Sequence, residues 1–167
     1  MDQGLLIARL VIGLLMAAHG AQKAFGWFGG HGLAGTAGFF ESIGFRPGRL
    51  FAAAAAYGEL ASGLLITAGF LGPVGPAIML AVMIVAAMTV HWAHGVFAQN
   101  NGIEVPLLYA TGAAALALTG FGRLSLDTIL GLTPLWTPGV EWAAVVAGVV
   151  GGAANLALRR VPATARP

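Results

Sequence analysis

The chain has 167 residues, of which 58% are hydrophobic and 8% are charged, and its formal net charge is +2. Because soluble domains carry about 25% charged residues, this composition indicates one compact membrane domain rather than several soluble ones. The eight cations are scattered and form no basic patch, which argues against nucleic-acid binding. The absence of cysteine excludes disulfides, thiolate metal sites and dithiol redox chemistry within the chain.

Five apolar segments predict membrane spans. In chain order they are 4–26, 50–71, 74–94, 105–121 and 140–158. The connection 26–48 is rich in aromatic and aliphatic residues with charges nearby, which predicts an amphipathic helix lying in the membrane interface. We therefore expect an all-α, multi-pass membrane protein. Its fold would be a four-helix transmembrane bundle with an additional C-terminal fifth helix and an interfacial amphipathic helix in the first loop.

The positions of the cations predict the orientation. With five spans, the first loop, the 95–104 loop and the C-terminal tail share one side, and the other side holds Arg9 and Arg123. The cations of the first side are Lys23, Arg46, Arg49, Arg159, Arg160 and Arg166. The positive-inside rule then places the first loop in the cytoplasm of a cell-membrane protein. If the fifth segment does not span, the bias reverses.

Charged residues inside spans are the most informative feature of the chain. Arg9, His19 and Lys23 fall on one face of the first span, since steps of three, four and seven return to the same side of a helix. Such residues are costly in lipid and normally face the bundle interior, a cavity or a partner charge. Glu59, near the middle of the second span, needs a partner, and Arg9 or His19 is within reach. Structural explanations stay open, since Lys23 can also snorkel to the interface.

Several polar and aromatic residues are expected at one depth near the cytoplasmic face, judged from a rise of about 1.5 Å per residue. We predict that they meet in one site. The catalytic candidates are His19, Lys23, Glu59 and Glu104, and the cofactor-binding candidates are His19, Gln22, Lys23, Trp27, His91, His94 and Tyr109. Trp27 can equally be an interfacial anchor.

Three chemistries fit this cluster. His and Lys beside a pocket at lipid depth can hydrogen-bond a quinone headgroup and supply protons as it is reduced. His19 and His91 could instead ligate a haem, which is the weaker expectation. His91, His94 and Glu104 could also bind a metal, but their spacing is not a recognised metal signature, so no metal site is predicted.

Motifs that occur in a fixed order resemble the DoxX family of small integral-membrane proteins. They are HGAQK at 19–23, GWFGG at 26–30, GTAGFF at 35–40, NGIEVPL at 101–107 and GFGRLSLD at 120–127. The resemblance covers about residues 5–127, and the matching polar positions are His19, Gln22, Lys23, Glu59, Glu104, Arg123 and Asp127. It implies a four-helix membrane bundle at 1–127. Residues 128–167, which we expect to form an interfacial segment, the fifth helix and a basic tail, lie beyond the usual four-helix core and depart from the family pattern.

The resemblance also implies a redox-linked role, because family members resemble membrane subunits of thiosulfate:quinone oxidoreductase. Another belongs to a membrane complex with a superoxide dismutase and a sulfurtransferase. The leading hypothesis is an integral-membrane subunit of a redox complex that holds a quinone near the cytoplasmic face. The alternatives are a non-catalytic scaffold that docks a soluble redox enzyme through residues 26–48, and a small-molecule transporter.

Two further features have structural interpretations. Gly148, Gly152 and the following Asn155 are interpreted as a close-packing helix face, which is compatible with a homo-oligomer. Arg123 and Asp127, four residues apart, are predicted to form a surface or capping pair.

Overall fold

The computed structural model describes residues 2–160, and within this range the protein is built from α-helices and short helical turns without a β-strand. The helices are α1 Asp2–Phe25, α2 Gly32–Ser42, α3 Gly48–Ala68, α4 Val74–Ala86, α5 Glu104–Thr119, α6 Leu126–Ile129 and α7 Pro138–Ala157. A π-helical turn, Ala87–His91, and a 3-10 turn, Trp92–His94, continue α4, so the third apolar segment is one rod over Val74–His94.

The all-α membrane bundle is confirmed. Within residues 2–160, four helical segments are long and apolar enough to cross a membrane: α1, α3, the extended α4 and α7. The remaining predicted span is α5, whose 16 residues rise about 24 Å, somewhat less than a hydrocarbon core of about 30 Å. All five predicted segments are helices whose ends lie within three residues of the predicted bounds.

Close backbone contact fixes the first two long helices. A Cβ atom at Gly20 of α1 would collide with the backbone of Leu60 on α3, and one at Gly63 of α3 would collide with the backbone of Ala17 on α1. Small residues at such positions let helices approach closely in lipid. α3 then packs on α4, and α4 packs on both α5 and α7, whereas α1 and α5 meet only weakly.

The last helix returns to the first loop. The backbone N–H of Arg160 donates to the carbonyl of Gly44 at 2.8 Å, and Arg159 Nε donates to the carbonyl of Ile43 at 2.6 Å. The end of α7 therefore lies beside the α2–α3 turn, as the five-span topology requires. We call this end of the bundle the loop end. Its cytoplasmic orientation remains a prediction, and Arg166 and the rest of the predicted tail, 161–167, lie outside the described residues.

The opposite end, here the hairpin end, carries the start of α1, the α3–α4 turn and α6. Asp127 of α6 is buried and accepts hydrogen bonds from the backbone N–H groups of Leu71 and Gly72 at 2.9 and 2.7 Å and from Trp136 Nε1 at 2.9 Å. The predicted pair with Arg123 is therefore wrong. The α3–α4 turn leaves backbone N–H groups without helical partners, and the carboxylate satisfies them, while Arg123 is exposed.

Candidate functional site

The centre of the site is an ion pair between α1 and α3. Lys23 Nζ lies 2.5 Å from Glu59 Oε2 in the one ion pair found within residues 2–160. Glu59 is only 3% exposed, whereas the Lys23 side chain is 31% exposed. A carboxylate in apolar surroundings needs a charged or hydrogen-bonding partner. The close packing of α1 on α3 makes Lys23 that partner, rather than Arg9 or His19.

A cavity of about 260 Å³ lies against this pair, between α2, α3, α4 and α7. We call it the ion-pair cavity. Its apolar lining comprises Phe39, Phe40 and Ile43 from α2, Phe51, Ala54 and Ala55 from α3, Ala81, Val82, Val85, Ala86 and Val90 from the extended α4, and Gly151 from α7. Its polar lining is Lys23, Glu59, Thr89, His91 and Asn155. A mostly apolar pocket with a few convergent polar groups is the arrangement expected for a small-molecule site.

One wall of the ion-pair cavity is the π-helical turn Ala87–His91. Such turns are rare and frequently occur at functional sites. The Thr89 hydroxyl donates to the carbonyl of Val85 in its own helix at 2.7 Å. His91 Nδ1 lies 2.8 Å from the carbonyl oxygen of Asn101. Because a carbonyl can only accept, Nδ1 carries the proton, and in the neutral ring Nε2 is an acceptor.

His19 and Tyr109 form a separate contact. Their rings meet edge to face, with centroids 6.0 Å apart, where α1 and α5 approach each other weakly. Neither residue lines the ion-pair cavity. The structure thus places His19 and His91, the residues expected to ligate a haem, in different surroundings.

The remaining predicted site residues make local contacts at the loop end of the bundle. Gln22 Nε2 donates to the carbonyl of Phe28 at 3.2 Å, and Glu104 Oε2 accepts from the N–H of Ala98 at 2.7 Å. His94 Nδ1 lies 2.9 Å from the carbonyl of Val90. Trp27 is exposed and packs on Phe25, with ring centroids 5.2 Å apart. Throughout residues 2–160, no group of three or more His, Asp or Glu side chains is placed to hold a metal ion.

Comparison with known families matches the helices that carry the ion pair. The family model described as DoxX matches residues 4–92, which is more than half of the chain. This chain belongs to the DoxX family. The matched region of this DoxX protein includes Lys23, Glu59 and His91, and it ends before α5 and α7. No curated protein and no solved structure matches the chain.

Two walls of the ion-pair cavity in this DoxX protein are absent from the sequence-based prediction. One is the aromatic wall from α2 and Phe51, and the other is the α7 wall with Gly151 and Asn155. A signal for the second wall was present, because Asn155 is a polar residue inside an apolar helix, one turn after Gly152. Its position in the same cavity as Lys23 and Glu59 depends on how α7 packs, and a hydropathy pattern carries no information on that packing.

Proposed function

We propose that this DoxX protein is an integral-membrane subunit of a redox-linked complex and that the ion-pair cavity binds a quinone ring. The observation that carries the proposal is the buried Lys23–Glu59 pair in the wall of an otherwise apolar cavity. Membership of a family linked to redox and quinone systems supports it. Because the chain has no cysteine, its electrons must come from a partner protein or a bound cofactor.

The roles of the chain's own residues follow from their hydrogen-bonding capacity. A quinone, when bound, supplies the electron-accepting and proton-accepting chemistry. The ammonium of Lys23 has three N–H donors, of which one is directed to Glu59, so another can donate to a ring carbonyl oxygen. Glu59 fixes the position of Lys23 and can hold a proton at its carboxylate. His91 offers Nε2 as an additional proton-exchanging group on the same cavity wall.

The size of the ion-pair cavity limits the ligand. Its volume of about 260 Å³ lies just below the range of about 300–1,000 Å³ that is typical of drug-sized ligands. It therefore suits a single substituted ring. A long isoprenoid tail would have to leave through the open side of the cavity along the apolar helix surfaces.

The test is quantification of quinone in protein extracted with its native lipids in polymer nanodiscs. Wild-type protein should carry about one quinone per chain. Lys23→Met combined with Glu59→Gln removes both charges without leaving a buried carboxylate unpaired, and we expect it to lose the quinone. Arg49→Met, an exposed cation at the same end, is the matched control and should retain it. A wild-type protein that contains no quinone and binds no added decyl-benzoquinone would overturn the proposal.

A second candidate function, docking of a soluble redox enzyme, is favoured by the first loop. The turn Trp27–Gly29 leaves Trp27 59% and Phe28 70% exposed at the loop end, although aromatic residues at this level also anchor proteins in the lipid interface. The test is Trp27→Ala with Phe28→Ala, followed by cross-linking in native membranes. Loss of a cross-linked soluble protein, with membrane insertion unchanged, would support docking. An unchanged set of cross-linked proteins would count against it.

A further inference from the structure

We propose that Asn155 of α7 is, after Lys23, the second hydrogen-bond donor to the ligand in the ion-pair cavity and that the ligand is a ring with an acceptor at each end, such as a 1,4-dione. This inference rests on the proposed function. It adds a contact from a helix outside the matched residues 4–92, and it narrows the ligand class from quinones in general to rings that are held at both carbonyls.

The position of Asn155 is set by close packing of α7 on α4. A Cβ atom at Gly148 would lie 2.7 Å from the carbonyl oxygen of Ala77, and one at Gly152 would lie 3.0 Å from that of Ala81. A side chain at Gly148 would therefore displace backbone, and one at Gly152 would require its neighbours to move by a few tenths of an ångström. Residues three and four positions further along a helix return to the same face, so Asn155 continues the face that Gly148 and Gly152 press against α4. It reaches the ion-pair cavity there.

The Asn155 amide has unused hydrogen-bonding capacity. An asparagine inside a membrane helix usually bonds across to a neighbouring helix. Within residues 2–160, however, the Asn155 side chain makes no such bond, although it is partly buried. Because the side chain is only partly buried, its N–H donors are accessible from the ion-pair cavity, where a ligand oxygen could accept from them.

Lys23 and Asn155 approach the ion-pair cavity from helices that are not packing neighbours. Lys23 is on α1, which packs on α3, and Asn155 is on α7, which packs on α4. Most side chains of α3 and α4 that line the space between these helices are apolar. Of the polar ones, Glu59 and His91 Nε2 are acceptors, and the Thr89 hydroxyl donates to the carbonyl of Val85. Two donor groups with a mostly apolar floor between them match a flat ring whose two acceptors lie at opposite ends, rather than a ligand with a single polar head.

The experiment compares two ligands by calorimetry on protein in nanodiscs. The probes are a decyl-substituted 1,4-benzoquinone, with two carbonyl oxygens, and a decyl-substituted cyclohexenone, with one. We expect Asn155→Leu to weaken quinone binding about three- to tenfold, as for one lost hydrogen bond, and to leave cyclohexenone binding unchanged. Asn155→Ala, which also removes the amide donor and adds no charge, should weaken quinone binding in the same way. Ala154→Leu, exposed beside it on α7, is the matched control.

The outcomes separate this inference from the proposed function. Selective loss of quinone affinity in both Asn155 variants supports the inference. Equal loss for both probes would show that Asn155 only shapes the cavity, and unchanged quinone affinity would remove it from the site. Either result overturns the inference while wild-type binding still supports the proposed function. If wild-type protein binds neither probe, the proposed function and the inference fall together.

Discussion

Glu59 and Asp127 are both buried carboxylates, at opposite ends of the same bundle, and their partners differ. Asp127 receives three N–H groups, two from the backbone of the α3–α4 turn and one from an indole. Glu59 receives one bond, from the end of the Lys23 side chain, beside a cavity. The donors of Asp127 are fixed by the fold, whereas the donor of Glu59 is a long, partly exposed side chain that also lines the cavity and can reach a ligand.

The difference separates a structural carboxylate from a candidate functional one. Asp127 ties α6 and Trp136 to the α3–α4 turn, so removing it should affect folding rather than binding. The Lys23–Glu59 pair has one partly exposed member and a neighbouring cavity, so removing it should affect binding more than folding.

The largest expected effect is loss of stability in Asp127→Ala. Three hydrogen bonds to a charged acceptor are lost, and two backbone N–H groups and an indole N–H are left without a partner. We expect a fall in the free energy of unfolding of about 3 kcal/mol or more, measured by thermal or denaturant unfolding in detergent. Arg123→Ala, on the same segment but exposed, should change it by less than about 0.5 kcal/mol. Similar stability in both variants would show that the Asp127 contacts do not hold the hairpin end together.

A smaller effect on stability is expected for Lys23→Met. This change leaves the Glu59 carboxylate without its ammonium, but the partial exposure of Lys23 moderates the cost, which we place at about 2 kcal/mol. Adding Glu59→Gln should recover most of that stability, because no charge is then left unpaired, while quinone binding should remain lost. If the double variant is less stable than Lys23→Met, Glu59 has a structural role independent of Lys23.

The smallest effect is expected for Arg9→Met at the hairpin end. Arg9 is buried and donates to the carbonyl of Leu124, but its Nε and Nη1 atoms have no partner within residues 2–160. Methionine removes one hydrogen bond and two unsatisfied nitrogen donor atoms together, so we expect a change of about 1 kcal/mol or less. The same unfolding measurement checks it. A loss as large as that of Asp127→Ala would mean that the guanidinium has a further partner.

The helices were predictable from the sequence, and the partners of the buried charges only in part. Hydropathy and segment length predict the five long helices because each reflects a local property of the chain. The need of Glu59 for a partner was also predictable. The identity of that partner depends on the register of α1 against α3, which the contacts at Gly20 and Gly63 set.

The wrong prediction that Asp127 pairs with Arg123 has the same physical origin. A spacing of four residues suggested Arg123 as a local partner, but the donors at Leu71 and Gly72 lie more than fifty residues away along the chain. For a related reason, the residues predicted to meet in one site lie in separate places in the structure. Depth along the membrane can be estimated from sequence, whereas the direction in which His19, Glu104 and Tyr109 face around their helices depends on packing.

The most direct test of the quinone site is photoaffinity labelling with an azido-substituted quinone in native membranes, followed by peptide mapping. We predict labels on α2, α3 and α7 around Phe40, Phe51 and Asn155, suppressed by excess unlabelled quinone and lost in the Lys23→Met, Glu59→Gln variant. Labels that excess quinone suppresses but that map to His19 and Tyr109 between α1 and α5, or labels that the variant leaves unchanged, would contradict a quinone site in the ion-pair cavity.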